Sequence, residues 1–175
     1  TESSEPLSWY WERYNSVKIS IVSVGKLKER YWQDALGEYV KRIKPHSSVE
    51  IVEVMDEPFS EDDSQKRKAE IKTREGQKIL SKLRKDTFVI CCDLRGREYS
   101  SEEFSAFLMK LALDGKSDIS FIIGGSLGLS LEVLERADSK ICFSEMTFPH
   151  QLMRVILAEQ IYRAFKIAKN EPYHR

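Results

Sequence analysis

This chain is organised around residues 143–175, FSEMTFPHQLMRVILAEQIYRAFKIAKNEPYHR. The stretch leaves a predicted strand, crosses a short loop and enters a helix at Pro149, which suits the first helical position because its missing N–H costs nothing there. Helical periodicity over residues 151–170 gathers polar side chains on one side, as expected for a solvent-facing surface: Glu159, Arg163, Lys166 and Asn170. The opposite side is apolar and predicts packing against a core.

Arg154 falls on that apolar side, near Ala158 and Ile161. A guanidinium in such a place must be paired or must face a ligand, because an unpaired buried charge is costly. Two interpretations remain open at this point. Arg154 is either a structural ion pair or snorkelling side chain, or a cation aimed at a substrate or a partner subunit.

The length and composition predict one soluble globular domain. A chain of 175 residues is long enough to bury a real core, and 41% apolar with 32% charged residues is ordinary for this class. No apolar run approaches the roughly 20 residues of a membrane span, so we expect no membrane partner. The net charge of zero argues against non-specific affinity for nucleic acid but leaves a local basic patch open.

The cysteines and histidines do not predict a metal site. Cys91, Cys92 and Cys142 lack metal-ligand spacing and are interpreted as small buried hydrophobes in a reducing compartment. The three histidines are far apart, and none has the spacing of a zinc motif: His46, His150 and His174.

Residues 1–16, TESSEPLSWYWERYNS, differ from the rest of the chain. They have neither the apolar core of a signal peptide nor the composition of a transit peptide. We interpret them as an N-terminal extension, natural or expression-derived, that precedes a single domain at residues 17–175. Their aromatic cluster could alternatively stack on bases: Trp9, Tyr10, Trp11 and Tyr14.

Strand and helix patterns alternate from residue 17 onward. Strands are predicted at 17–24, 49–54, 87–94, 119–123 and 141–143, and helices at 31–43, 61–83, 100–113, 131–137 and from 149. Ser100 and Glu103 form a capping box at the start of one helix. This alternation, with central strands apolar throughout, predicts an α/β fold with a mostly parallel sheet and helices on both faces.

In such sheets, ligands bind at the carboxyl ends of the strands. Three junctions there stand out: residues 92–96, 123–128 and 143–148. The pair Gly124–Gly125 either lets backbone approach a ligand or makes a tight turn. It lacks the spacing of a dinucleotide fingerprint, Gly25–Lys26 is not a P-loop, and no esterase nucleophile elbow is present.

Four segments resemble one known family. IIGGSLGL at 122–129, MTFPHQLMRVILAEQIYRA at 146–164 and PYHR at 172–175 are similar to the RlmH family of SPOUT methyltransferases, as is the opening at 17–43. The resemblance covers residues 17–175. It implies a bacterial, cytoplasmic enzyme that methylates N3 of a pseudouridine in helix 69 of large-subunit ribosomal RNA. It also implies S-adenosylmethionine as donor, a homodimer and a C-terminal trefoil knot, a feature that is rare among folds.

The resemblance also implies functional residues. The cofactor pocket would use Cys92, Gly124, Gly125, Phe143, Ser144, Glu145, Met146, Thr147 and Phe148. The family commonly has an aliphatic residue where Cys92 stands, a change of little weight if the contact is made by backbone. The catalytic positions would be Arg154, Tyr173 and His174.

The implied reaction requires an imide N3–H to lose its proton as nitrogen attacks the methyl group. We expect Arg154 to stabilise the developing negative charge, and His174, with Tyr173, to accept or relay the proton or to hold the base. In-line geometry would supply much of the remaining acceleration. His150 is interpreted as structural or as part of the dimer interface, for which the apolar side of helix 149–168 is the candidate face.

With zero net charge, the enzyme is expected to recognise ribosomal RNA in the assembled ribosome, through shape and single-stranded loops. A basic excess near the C-terminus is either an RNA contact or a solvated helix face: Arg163, Lys166, Lys169 and Arg175. Three alternatives stay open: a non-catalytic ribosome-binding protein, a SPOUT methyltransferase acting on another RNA such as transfer RNA, and a small-molecule α/β enzyme using another nucleotide.

Overall fold

The structure, a computed structural model, describes residues 12–173. Its centre is a five-stranded sheet in the order β2-β1-β4-β3-β5, in which all strand pairs are parallel. The strands are β1 (Lys18–Val24), β2 (Ser48–Val54), β3 (Phe88–Glu98), β4 (Asp118–Ile123) and β5 (Ser139–Cys142). The predicted α/β class with a mostly parallel sheet is confirmed.

Between β1 and the end of the described residues, five helices cover the sheet: α1 (Arg30–Ile43), α2 (Gln65–Lys82), α3 (Ser101–Leu113), α4 (Leu131–Arg136) and α5 (His150–Ala168). The strands alternate their side chains between two cores. Ile19 and Ile21 of β1 belong to the core under α1, α3 and α5, whereas Val22 and Val24 belong to the core under α2 and α4. Both faces are therefore covered by helices, as predicted.

Local capping chemistry sets several helix boundaries. Both hydrogen bonds of the capping box between Ser100 and Glu103 are present. Helix α2 begins four residues later than predicted, because the Ser64 hydroxyl accepts the Arg67 N–H and caps the helix there. Pro149 occupies the cap position instead of the first helical one, with ψ of 137°, so α5 begins at His150.

Strand β3 extends beyond the predicted end through an irregularity. Cys92 and Arg97 are both registered against Ile141 of β5, so the intervening segment bulges. A Cβ on Gly96 would lie 2.5 Å from the carbonyl carbon of Ile141, which leaves no room for a side chain. The trefoil knot implied by the resemblance stays a prediction.

The chain preceding β1 packs against the core. Residues 12–15 form a helical turn, and Tyr14 is only 1% exposed, with its ring 4.7 Å from that of Phe165 in α5. Arg13 Nη1 donates to the carbonyl of Leu113. Tyr14 is thus not available for base stacking. The other three aromatic residues of this segment, at positions 9–11, lie outside the described residues, and the domain boundary at residue 17 stays a prediction.

Candidate active site

A cavity of about 580 Å³ opens at the carboxyl edge of the sheet. Its walls come from the segments that follow β3, β4 and β5, which are the three junctions singled out in the sequence. The parallel register brings these strand ends to one edge, although they are far apart in the chain. The volume lies in the range of small-molecule sites, roughly 300–1,000 Å³.

The structure gathers most of the residues predicted to bind a cofactor. The cavity is lined by Cys92, Gly124, Gly125, Phe143, Ser144, Met146, Thr147 and Phe148. Glu145 is exposed and does not line it. The geometry therefore brings eight predicted positions together around one space.

The glycine-rich loop forms one wall through backbone. Gly128 has φ of +85°, a left-handed conformation that favours glycine, and its N–H donates to the carbonyl of Gly125 at 3.0 Å. A Cβ on Gly124 would lie 3.0 Å from the carbonyl carbon of Gly128. The loop is therefore a tight turn, and the approach of its backbone to a ligand stays a prediction.

The loop after β5 is held by its own short contacts. Ser144 Oγ accepts the N–H of Met146 at 3.0 Å, and Cys142 Sγ donates to the Ser144 carbonyl at 3.2 Å. Met146 nonetheless projects outward and is 72% exposed. The loop therefore offers an exposed apolar side chain at the mouth of the cavity.

Charged groups at the cavity are few. Arg95 pairs with Asp93 at 2.9 Å, and its hydrogen bond holds the pKa of that carboxyl below its usual value. Lys72 of α2 also lines the space. Burial raises the pKa of Cys92, so this thiol stays neutral. Lys72 was missed because nothing in the charged pattern of α2 distinguishes it.

His150 and Met153, at the start of α5, also line the cavity. From the sequence, His150 is interpreted as structural or as part of the dimer interface; its position directly after the predicted loop is the signal that could have placed it at the cavity. Burial, followed by the nearby charge of Arg154, lowers the pKa of His150. The neutral imidazole is therefore favoured at pH 7.

Arg154 lies behind this wall and does not line the cavity. Its side chain is 0% exposed; Nη1 donates to Glu53 Oε2 at 3.0 Å, and Nη2 donates to the carbonyls of Val24 and Gly25 at 2.7 and 2.9 Å. Glu53 Oε2 also accepts the N–H of Leu27. The sequence required a partner or a ligand for this guanidinium, and the structure supplies protein partners at the carboxyl ends of β1 and β2.

Tyr173 lies at the other end of α5. Its hydroxyl donates to Glu159 Oε1 at 3.2 Å, and Arg163 stacks over its ring at 4.8 Å. Glu159 is nine residues beyond His150, which corresponds to about 13 Å along the helix axis. Burial, and then Glu159, raises the pKa of Tyr173 to about 12. His174 lies outside the described residues.

Among residues 12–173, no group of three His, Cys, Asp or Glu side chains is arranged to hold a metal ion. Cys91, Cys92 and Cys142 are free thiols; the first and last are buried, as predicted, whereas Cys92 is half-buried on the cavity wall. In the same described range, no helix is long and apolar enough to cross a membrane.

A parallel α/β sheet with a glycine-walled cavity at its carboxyl edge is compatible with several classes of transferase. The family described as "Predicted SPOUT methyltransferase" matches residues 17–174, and the chain belongs to this family. The family predicted from the sequence motifs is confirmed. Enzymes of this class take their methyl group from a donor molecule.

Several relatives share a more particular name. "Ribosomal RNA large subunit methyltransferase H" of Clostridium acetobutylicum and that of Carboxydothermus hydrogenoformans are each 52% identical over 159 residues, covering 91% of this chain and all of the relative. A crystal structure of a "Probable Methyltransferase" from Bordetella pertussis has a TM-score of 0.51 at 12% identity, covering 90% of this chain and 99% of that one. This structural likeness concerns the fold alone.

Proposed function

We propose that this protein transfers a methyl group from S-adenosylmethionine to N3 of a pseudouridine in helix 69 of large-subunit ribosomal RNA. The observation that carries the proposal is the cavity at the sheet edge, where eight positions implied by the family resemblance meet. The relatives whose printed name is ribosomal RNA large subunit methyltransferase H support the RNA class of the substrate.

The residues present fit the proposed donor. Backbone at Gly124 and Gly125 can approach a ligand closely because no Cβ intervenes. Phe143 and Phe148 supply apolar surface suited to a planar nucleoside, and the neutral Cys92 thiol adds to it. When bound, the donor supplies a methyl group on a sulfonium, whose leaving thioether is neutral.

The proposed roles of the tail require a second subunit. Tyr173 sits about 13 Å along α5 from His150 on the cavity wall. Within one protomer it is therefore too far away to meet a base placed in that cavity. In the homodimer that we propose, the tail carrying Tyr173 and His174 reaches the cavity of the other subunit and holds the base or accepts its proton.

Leu157 and Ile161, on the apolar side of α5 that the sequence offered as the dimer face, are buried in the core of the protomer. The proposed dimer face is instead the half-exposed part of α5 around Ile156, with the groove beside it. A second cavity of about 380 Å³ there is bordered by Tyr99, Phe143, Phe148 and Ile156. Burying such apolar surface between subunits is the usual driving force for association. Ile156→Asp is expected to shift the protein to a monomer in sedimentation equilibrium. A dimer that persists unaltered in this variant would show that the interface lies on another face.

Two roles are open to Arg154. In one it stabilises the imide anion of the target base, which would require its bonds to Val24 and Gly25 to rearrange. In the other it positions the cavity wall. Arg154→Lys separates them: a folded variant that binds the donor normally but turns over at least about a hundredfold slower supports the first role. Equal losses in donor binding and turnover support the second.

The test of the function is methyl transfer to defined substrates. Labelled S-adenosylmethionine is incubated with the protein and, separately, with 70S ribosomes, 50S subunits or free ribosomal RNA that lack this methylation. Label in helix 69 of ribosomes only is the expected result, because the chain has zero net charge and would depend on an assembled surface. Label in free RNA would keep the chemistry and overturn assembly-dependent recognition.

The same experiment distinguishes the alternatives. Donor binding without label in any ribosomal substrate would favour a SPOUT methyltransferase of another RNA, such as transfer RNA. Ribosome binding without donor binding would favour a non-catalytic ribosome-binding protein. The small-molecule alternative has no supporting feature, since the cavity carries no dinucleotide or P-loop fingerprint.

A further inference from the structure

A second, smaller pocket adjoins the cofactor cavity. It measures about 220 Å³ and shares Gly125, Ser126, Leu127 and His150 with the larger space. Its remaining wall comes from the end of β1, the segment after β2 and α2. A molecule held in the cofactor cavity could therefore extend one end past the glycine-rich loop into this pocket.

The pocket is acidic. Asp56, Glu57 and Glu75 line it, and no lysine or arginine of the described range does so. Glu57 is already neutralised by Lys78, whose Nζ lies 2.7 Å from Glu57 Oε1. Arg154, which lies behind His150, is likewise engaged with a carboxylate, that of Glu53. Asp56 and Glu75 are thus the two acids of the pocket that have no ion pair among the described residues, although the charge of Lys78 acts on Glu75.

Glu75 has one oxygen without a partner. The residue is 5% exposed; its Oε1 accepts the Glu57 N–H at 3.0 Å, but Oε2 is buried and makes no hydrogen bond. A Cβ on Gly125 would lie 3.4 Å from this oxygen, so Oε2 sits directly against the glycine-rich loop. An unsatisfied buried carboxylate oxygen is costly. The site therefore calls for a proton or a donor group on a ligand.

We infer that this pocket binds the α-ammonium group of the methyl donor, through Glu75 Oε2. The inference rests on the proposed function, and it assigns the amino-acid end of the donor to the acidic pocket. An ammonium supplies the N–H donor that Glu75 Oε2 lacks. Its positive charge also balances the negative charge of the carboxylates in the pocket. Burial raises the pKa of Glu75 in the empty pocket, and an ammonium there would favour the ionised form again.

The test compares three adenosyl compounds that differ only at this end. S-adenosylhomocysteine carries the ammonium, its deaminated analogue has hydrogen there, and 5′-methylthioadenosine lacks the amino-acid portion. Calorimetry on the wild-type protein should show about ten- to a hundredfold tighter binding of the first than of the second, the usual value of a charged hydrogen bond. Equal affinities would overturn the inference.

Glu75→Gln is the matched variant, because its amide oxygen can still accept the Glu57 N–H and preserve the local fold. It should lose the preference for the ammonium, about ten- to a hundredfold, and keep its affinity for 5′-methylthioadenosine. Glu70→Gln, an equal charge change on the exposed part of α2, should leave all three affinities unchanged.

A uniform loss of affinity for all three compounds in Glu75→Gln would mean that Glu75 only positions the loop, and would overturn the inference. Wild-type protein that binds none of the three would instead overturn the proposed function, and this inference with it. The two failures are therefore distinguishable in one set of titrations.

Discussion

Arg154 is the largest fully buried side chain of the described residues, and its removal should strongly destabilise the folded protein. Arg154→Ala leaves two carbonyls without donors and a cavity where the buried side chain stood, and it removes the cation from Glu53, whose side chain is 34% exposed. We expect a loss of about 2–5 kcal/mol in the free energy of unfolding, measured by urea denaturation. Arg30→Ala, which removes an exposed pair with Asp34, should cost under about 1 kcal/mol. Equal losses would contradict a structural role.

The histidines predict how stability depends on pH. Burial lowers the pKa of His46 and His150 below the ordinary 6.5. Between the folded and unfolded pKa values, the unfolded chain binds more protons, so stability rises with pH there. The free energy of unfolding should therefore fall as pH drops from about 7 towards 5.5.

The double variant His46→Gln, His150→Gln should flatten this slope. Urea denaturation at several pH values measures it. A slope unchanged by the double variant would assign the pH dependence to other groups.

Alanine substitutions at two glycines in the middle of helices are expected to have opposite effects on stability. A Cβ on Gly76 of α2 would overlap Ser130 Oγ, the N-cap of α4, whereas a Cβ on Gly37 of α1 meets nothing within 4 Å. Gly37→Ala should stabilise the protein by about 0.5–1 kcal/mol, because alanine favours a helix. Gly76→Ala should destabilise it, because α2 and α4 must move apart.

Thermal unfolding of the two alanine variants makes the comparison. The same direction of change in both would contradict the close packing of α2 on α4.

At the level of elements, the sequence predicted the sheet and the helices because hydrophobic periodicity and caps are local signals. The capping box at Ser100 is a case in point. The later start of α2 was missed because its charged first turn gave no apolar period, and only Ser64 marked the cap. The bulge at Gly96 depends on backbone contact with Ile141, which lies in another strand and leaves no local pattern.

The candidate site was likewise predictable from local signals but not from contacts between distant residues. Its loops were recognisable because they follow strands and resemble a family, but the pairing of Arg154 with Glu53 joins residues a hundred positions apart. The acidic pocket likewise depends on α2 lying beside the glycine-rich loop. Such partners are fixed by tertiary packing, so a single sequence offers no signal for them.

For the whole molecule, the segment before β1 should contribute to stability. Tyr14 packs at 4.7 Å against Phe165 and is buried in the main core. Tyr14→Ala should lower the free energy of unfolding by about 3–5 kcal/mol, the usual cost of deleting a buried aromatic ring. Tyr31→Ala, at a position 64% exposed, serves as the matched control and should cost far less. Similar values for both would show that the segment is not integral to the fold.

The position of β1 between β2 and β4 has a consequence for how the chain folds on the ribosome that makes it. β1 pairs β4 along its length, from Lys18 against Asp118, so its partner follows about a hundred residues later. At roughly 5–20 residues per second, β1 waits about 5–20 seconds with one edge open. Because β2 pairs only the other edge, the open edge must be kept from pairing with another chain, for example by a chaperone, until β4 emerges. We therefore expect the speed of translation between these strands to affect the yield of folded protein.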